Sequence, residues 1–66
     1  MTKSLDKTLE AFRNTEDAIE DIKTKRNIIT DKDMIEDYNK ILGQLEKASD
    51  NLINAIALFQ KHEGLL

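Results

Sequence analysis

Histidine occurs once in this chain, at His62, cysteine is absent, and the two serines stand at Ser4 and Ser49. Nucleophilic catalysis needs a base within hydrogen-bond reach of the nucleophile. The one imidazole lies near the C-terminal end, far in sequence from both hydroxyls, so the chain is read as non-enzymatic, with no catalytic and no cofactor-binding residue. Helical metal centres project Glu-x-x-His pairs from facing helices. Here the residue three before His62 is Phe59 and no second histidine exists, so no metal ligand is assigned. The segment Asp31-Lys32-Asp33 begins like a calcium loop, but Ile35 stands at the next ligand position and Glu36 at the glycine position, and the match fails.

Two charge clusters remain. Glu16, Asp17, Glu20 and Asp21 set like charges four apart, which costs a few tenths of a kcal/mol per pair in an isolated helix. Lys40 and Lys47 on a facing helix would offset them; otherwise the acids are a candidate surface for a basic protein partner. Lys23, Lys25 and Arg26 form the basic cluster and are the candidate contact for nucleic acid phosphates. They also suit the negative end of a helix dipole. The net charge of -3, with both signs interspersed, argues against non-specific nucleic-acid binding, and none is expected.

The strongest signal is hydrophobic. In the octet Leu52-Ile53-Asn54-Ala55-Ile56-Ala57-Leu58-Phe59 seven residues are apolar, and they surround a helix instead of lining one side. A helix apolar all round has to be covered all round. A 66-residue domain buries only about 60% of the surface its unfolded chain exposes, and with neither disulfide nor metal the remaining route to stability is association. A homodimer is therefore expected, with Leu45, Leu52, Ile53, Ile56, Leu58 and Phe59 at the oligomer or partner interface. No apolar run approaches the ~20 residues that span a bilayer, and Met1 to Asp6 lack the apolar centre of a secretory signal, so no membrane association is expected and the predicted location is the cytoplasm. Eight lysines against two arginines, with eight isoleucines and five asparagines, suggest the AT-rich coding of a low-GC bacterium or its phage.

The elements follow from periodicity. Leu5, Leu9, Phe12, Ile19, Ile22 and Ile29 recur at three, four and seven, predicting a helix over about 4–28. Thr30 can cap the next helix while Asp33 reaches back, so a turn at 29–30 precedes a second helix over about 31–61 carrying Met34, Ile35, Tyr38, Ile41, Leu42, Leu45, Ala48, Leu52, Ala55, Ile56 and Phe59. So short a connection forces the helices back antiparallel. The predicted class is all-α: one two-helix antiparallel hairpin, dimerising into a four-helix bundle. With the turn at Ile29 and Thr30, facing residues should have numbers totalling about 60. That register sets Ile19 and Ile22 against Tyr38 and Ile41, Phe12 against Ala48, Glu20 near Lys40, and Arg26 over Met34 and Ile35. Gly43 falls on the outer face with Ala57, where glycine costs ~1 kcal/mol against alanine. It is either a weak spot or a bend that splits the second helix in two, or the close-approach point of a partner.

In length and helix layout the chain resembles the plasmid copy-number regulators of the Rop type, dimeric hairpins that bind paired RNA loops. Ser49-Asp50-Asn51-Leu52 is also similar to the Ser-x-x-Leu-Asp motif of small hairpin phosphatases acting on a sporulation regulator, with Ile53 standing where the motif has its aspartate. The leading functional expectation is a self-associating, non-enzymatic module that binds a partner protein as regulator, inhibitor or assembly factor. The alternatives are a Rop-like nucleic-acid-binding dimer and an accessory of a bacterial phosphorelay.

Overall fold

The computed structural model describes residues 3–63, which form two helices, α1 (Lys3–Ile28) and α2 (Lys32–Glu63), packed against each other. At 1.5 Å per residue the longer helix spans about 48 Å, so the two together make a rod of 52 × 14 × 12 Å. The helix bounds fall within two residues of those read from periodicity. The helical cap does not fall where it was expected. Asp31, not Thr30, starts α2: its Oδ1 accepts from the backbone N–H of Asp33 (2.9 Å) and Met34 (3.2 Å), and its carbonyl accepts from Ile35 N–H (3.0 Å). Asp33 therefore supplies a backbone donor to the cap and its carboxylate is not needed there. A carboxylate on the positive end of the helix dipole satisfies two otherwise free donors at once. The preceding turn is closed by Ile29 N–H donating to the Arg26 carbonyl (3.3 Å).

The seam runs through Leu5, Thr8, Phe12, Thr15, Ile19, Ile22, Arg26 and Ile29 on one side. On the other it runs through Ile35, Tyr38, Leu42, Leu45, Ser49, Leu52, Ile56 and Phe59. Every one of these is buried or half-buried. Their spacing alternates three and four without interruption, the pattern that keeps an apolar stripe facing one partner helix. Burial is sparse all the same: among the described residues Leu5, Ile19 and Leu42 are the buried apolar side chains. Two helices touch along a line, and a line encloses little.

Four polar residues, Thr8, Thr15, Arg26 and Ser49, interrupt the stripe, and each has a hydrogen-bond partner. Thr8 and Thr15 donate their hydroxyls to the carbonyls of Ser4 (2.7 Å) and Ala11 (2.8 Å), so neither needs a partner across the seam. Ser49, 5% exposed, donates to the Glu16 carboxylate on α1. Arg26, half-buried on the seam, donates from Nη1 to Asn39 Oδ1 at 3.0 Å. The residue numbers of both cross-hairpin bonds, 16 with 49 and 26 with 39, total 65, about one helical turn beyond the expected 60. Thr15 therefore comes level with Ser49, Phe12 with Leu52, and Ile19 with Leu45.

Candidate interaction surfaces

The heptad spacing gives the rod two flanks beside its seam. On one flank Glu16 and Lys23 of α1 meet Glu46, Asp50 and Ile53 of α2 around a shallow groove of about 250 Å³, floored by Ile19 and Ser49. Charge dominates here. Gly43 and Ala57 share this side of α2, each about two turns from Asp50. Space around Gly43 is open: a Cβ built there meets nothing within 4 Å, and α2 runs through the position as unbroken helix.

The opposite flank has a different composition. On α1 it carries Ser4, Ala11, Ala18 and Lys25; on α2 it carries Met34, Ile41, Ala48, Ala55 and His62. Ala18, Ala48 and Ala55 are half-buried, whereas Met34 and Ile41 stand 48% and 41% exposed. Toward the open end of the hairpin this flank carries a shallow, open groove of about 480 Å³ along α2, lined by Ala55, Leu58, Phe59 and His62 and almost wholly apolar at its surface. Leu58 is 59% exposed on its rim.

The residues singled out by sequence distribute unevenly over this frame. Leu45, Leu52, Ile56 and Phe59 lie on the seam and are half-buried; Ile53 is exposed on the charged flank and Leu58 on the alanine flank. The acidic run is spread around the outside of α1. Glu16 is bonded to Ser49, Asp21 Oδ2 lies 3.1 Å from Lys25 Nζ on its own helix, and Asp17 and Glu20 are exposed. Lys40 and Lys47 are exposed on the far face of α2 and do not neutralise the run as expected; among the described residues no lysine reaches these acids across the hairpin. Of the basic cluster, Lys25 and Arg26 are engaged within the chain and Lys23 edges the charged groove.

Ser49 and His62 are thirteen residues apart on one helix, about 20 Å along its axis, and the serine hydroxyl is already donated to Glu16. Asp31 is occupied as a helix cap. Among the described residues no three His, Asp or Glu side chains are grouped to hold a metal ion, and no buried side-chain nitrogen or oxygen lacks a hydrogen bond. No helix is long and apolar enough to cross a membrane.

The alanine flank escaped the sequence reading, although its signal was present. Once Ser49 is accepted on the seam, Ala11, Ala18, Ala48 and Ala55 fall one position before successive seam residues, on a single side. The fold and its surfaces define a helical hairpin with one charged and one small-residue flank. No known protein family, curated protein or solved structure matches this chain.

Proposed function

We propose that this chain is a non-enzymatic interaction module that associates with itself and uses its remaining surface to bind a partner protein, as a regulator, inhibitor or assembly factor. A cytoplasmic setting in a bacterium or phage belongs to the same reading. One observation carries it. Among the described residues Ile28, Met34, Ile41, Ile53 and Leu58 are between 41% and 79% exposed, against three buried apolar residues. Scattered exposed apolar residues are ordinary, but a surface that outweighs the core in a rod this thin marks an interaction site. Half-buried Leu45, Leu52, Ile56 and Phe59 would be enclosed fully by a second layer of helices, as a four-helix bundle requires.

Sedimentation at micromolar concentration tests the self-association, which predicts a species heavier than the 7.6 kDa chain. Phe59→Ala should then dissociate or unfold it. Truncating an enclosed phenylalanine costs ~3 to 5 kcal/mol, against a total stability of ~3 to 10 kcal/mol for 66 residues. A stable 7.6 kDa monomer of full helicity would sink this reading. Partner binding is tested by capture from the source cell with the wild-type chain and Gly43→Leu, which fills the charged-flank surface without touching the seam.

A further inference from the structure

The rod carries more surface than its mass warrants. A compact folded monomer of 7.6 kDa exposes about 4,300 Å², whereas this chain exposes 5231 Å². Its radius of gyration is 15.4 Å where a compact domain of 66 residues has about 11 Å. The excess, about 900 Å², is close to the ~800 Å² that each partner contributes to a stable interface. The charged flank is poorly suited to supply it, because Glu16, Lys23, Glu46 and Asp50 would all need partners once water was excluded. The alanine flank has no such obstacle at its centre, and its small side chains let helix axes approach to about 8 Å.

The alanine flank also has a self-complementary shape. Two exposed protrusions, Ile41 and Met34, lie seven and fourteen residues before Ala48 on α2, about 10 and 21 Å along its axis. The apolar groove begins at Ala55 and ends at His62, seven and fourteen residues after Ala48. Protrusions and groove are therefore equidistant from one alanine, in opposite directions. A two-fold axis through Ala48, perpendicular to the rod, carries each set onto the other, which is the condition for a closed isologous contact. The same operation places the Lys25 side chains at opposite ends, whereas a parallel arrangement would crowd both basic clusters at one end.

Deepening the self-association already proposed, we infer that a second copy of this chain docks on the alanine flank in the antiparallel sense. Met34 and Ile41 of each chain enter the groove of Ala55, Leu58, Phe59 and His62 on the other. The charged flank, with Gly43 and the groove around Ile53, stays open on both outer sides of the dimer.

Because the chain has no cysteine, single thiols report the geometry directly. Ala48→Cys, on the axis, should oxidise to a disulfide-linked dimer about a hundredfold faster than Ile53→Cys, since docking holds paired thiols near millimolar effective concentration against ~10 µM in solution. Mixing Met34→Cys with His62→Cys, both at the flank and clear of the seam, should give mixed dimers in preference to either homodimer. That second experiment stands even if Ala48→Cys perturbs the fold. Faster oxidation through Ile53→Cys, or Met34→Cys joining itself, in a chain that sediments as a dimer would overturn the antiparallel alanine-flank contact alone. A chain sedimenting at 7.6 kDa would remove the self-association as well.

Discussion

Removing either end of the bond between Ser49 and Glu16 should have unequal effects, and the inequality follows from burial. Ser49 is 5% exposed, whereas Glu16 is exposed. Glu16→Ala strands a buried hydroxyl, a loss of ~1 to 3 kcal/mol for an unsatisfied group. Relief of the like-charge pair with Glu20, four residues on, returns only ~0.2 to 0.5 kcal/mol. Ser49→Ala removes the hydroxyl together with its need for a partner, and the freed carboxylate goes back to water. The lost hydrogen bond, ~0.5 to 1.5 kcal/mol, is then largely offset by the higher helix propensity of alanine, ~0.5 kcal/mol, and by the absence of a polar group to desolvate at the seam. For a domain of this size 1 kcal/mol moves the melting temperature by about 4–8 °C. Circular dichroism melts at one fixed protein concentration should thus show Glu16→Ala lowered by roughly 4–20 °C, Ser49→Ala within a few degrees of the parent, and the double variant close to Ser49→Ala. If Ser49→Ala melts lower than Glu16→Ala, the bond is not a satisfied buried donor and the reasoning fails.

Gly43→Ala should raise stability by ~1 kcal/mol in the same melts, since the site is helical and nothing crowds a Cβ there. Asp31→Ala should cost ~0.5 to 2 kcal/mol and lower helicity at the start of α2, a loss that Asp31→Asn should largely restore. Leu42→Ala, at a residue 3% exposed, should cost ~2 to 5 kcal/mol, enough to unfold much of the population in chemical denaturation at 25 °C. A gel shift at low salt with duplex or single-stranded nucleic acid should show no binding; a shift abolished by Lys23→Ala would restore the basic cluster as a phosphate contact.

Periodicity placed both helices because an uninterrupted three-four spacing of apolar residues has one physical outcome, a stripe that must face something. Two details depend instead on polar side chains, whose roles a hydrophobic pattern does not encode. Thr30 and Asp31 are both able to cap, and the outcome turned on which oxygen reaches two free N–H groups. Reading the second stripe through apolar residues alone passes from Leu45 to Ala48 and skips Ser49. That choice rotates the apparent seam by one position and draws Ile41 and Ala48 toward the first helix. Ser49 is satisfied on the seam by Glu16 on α1, and this bond, like that of Arg26 to Asn39, lies in a register about one turn beyond the value expected from the turn alone. Placing Ser49 on the seam sets Ala48 and Ala55 on one flank and Asp50 on the other.

The hairpin also has a direction in time. Seam positions beside the turn lie a few residues apart in sequence, such as Ile29 and Ile35, while those at the far end lie more than fifty apart, such as Leu5 and Phe59. Chain ends that must be brought together from greater separations meet later and part sooner. Folding that begins at the Asp31 cap would close the molecule like a zip, and backbone amides near the open end should exchange with solvent fastest. Sub-global opening of this kind draws on the least stable part of a structure. The apolar groove at Ala55, Leu58 and Phe59 lies at that end, so a zip closing from the turn would order it last.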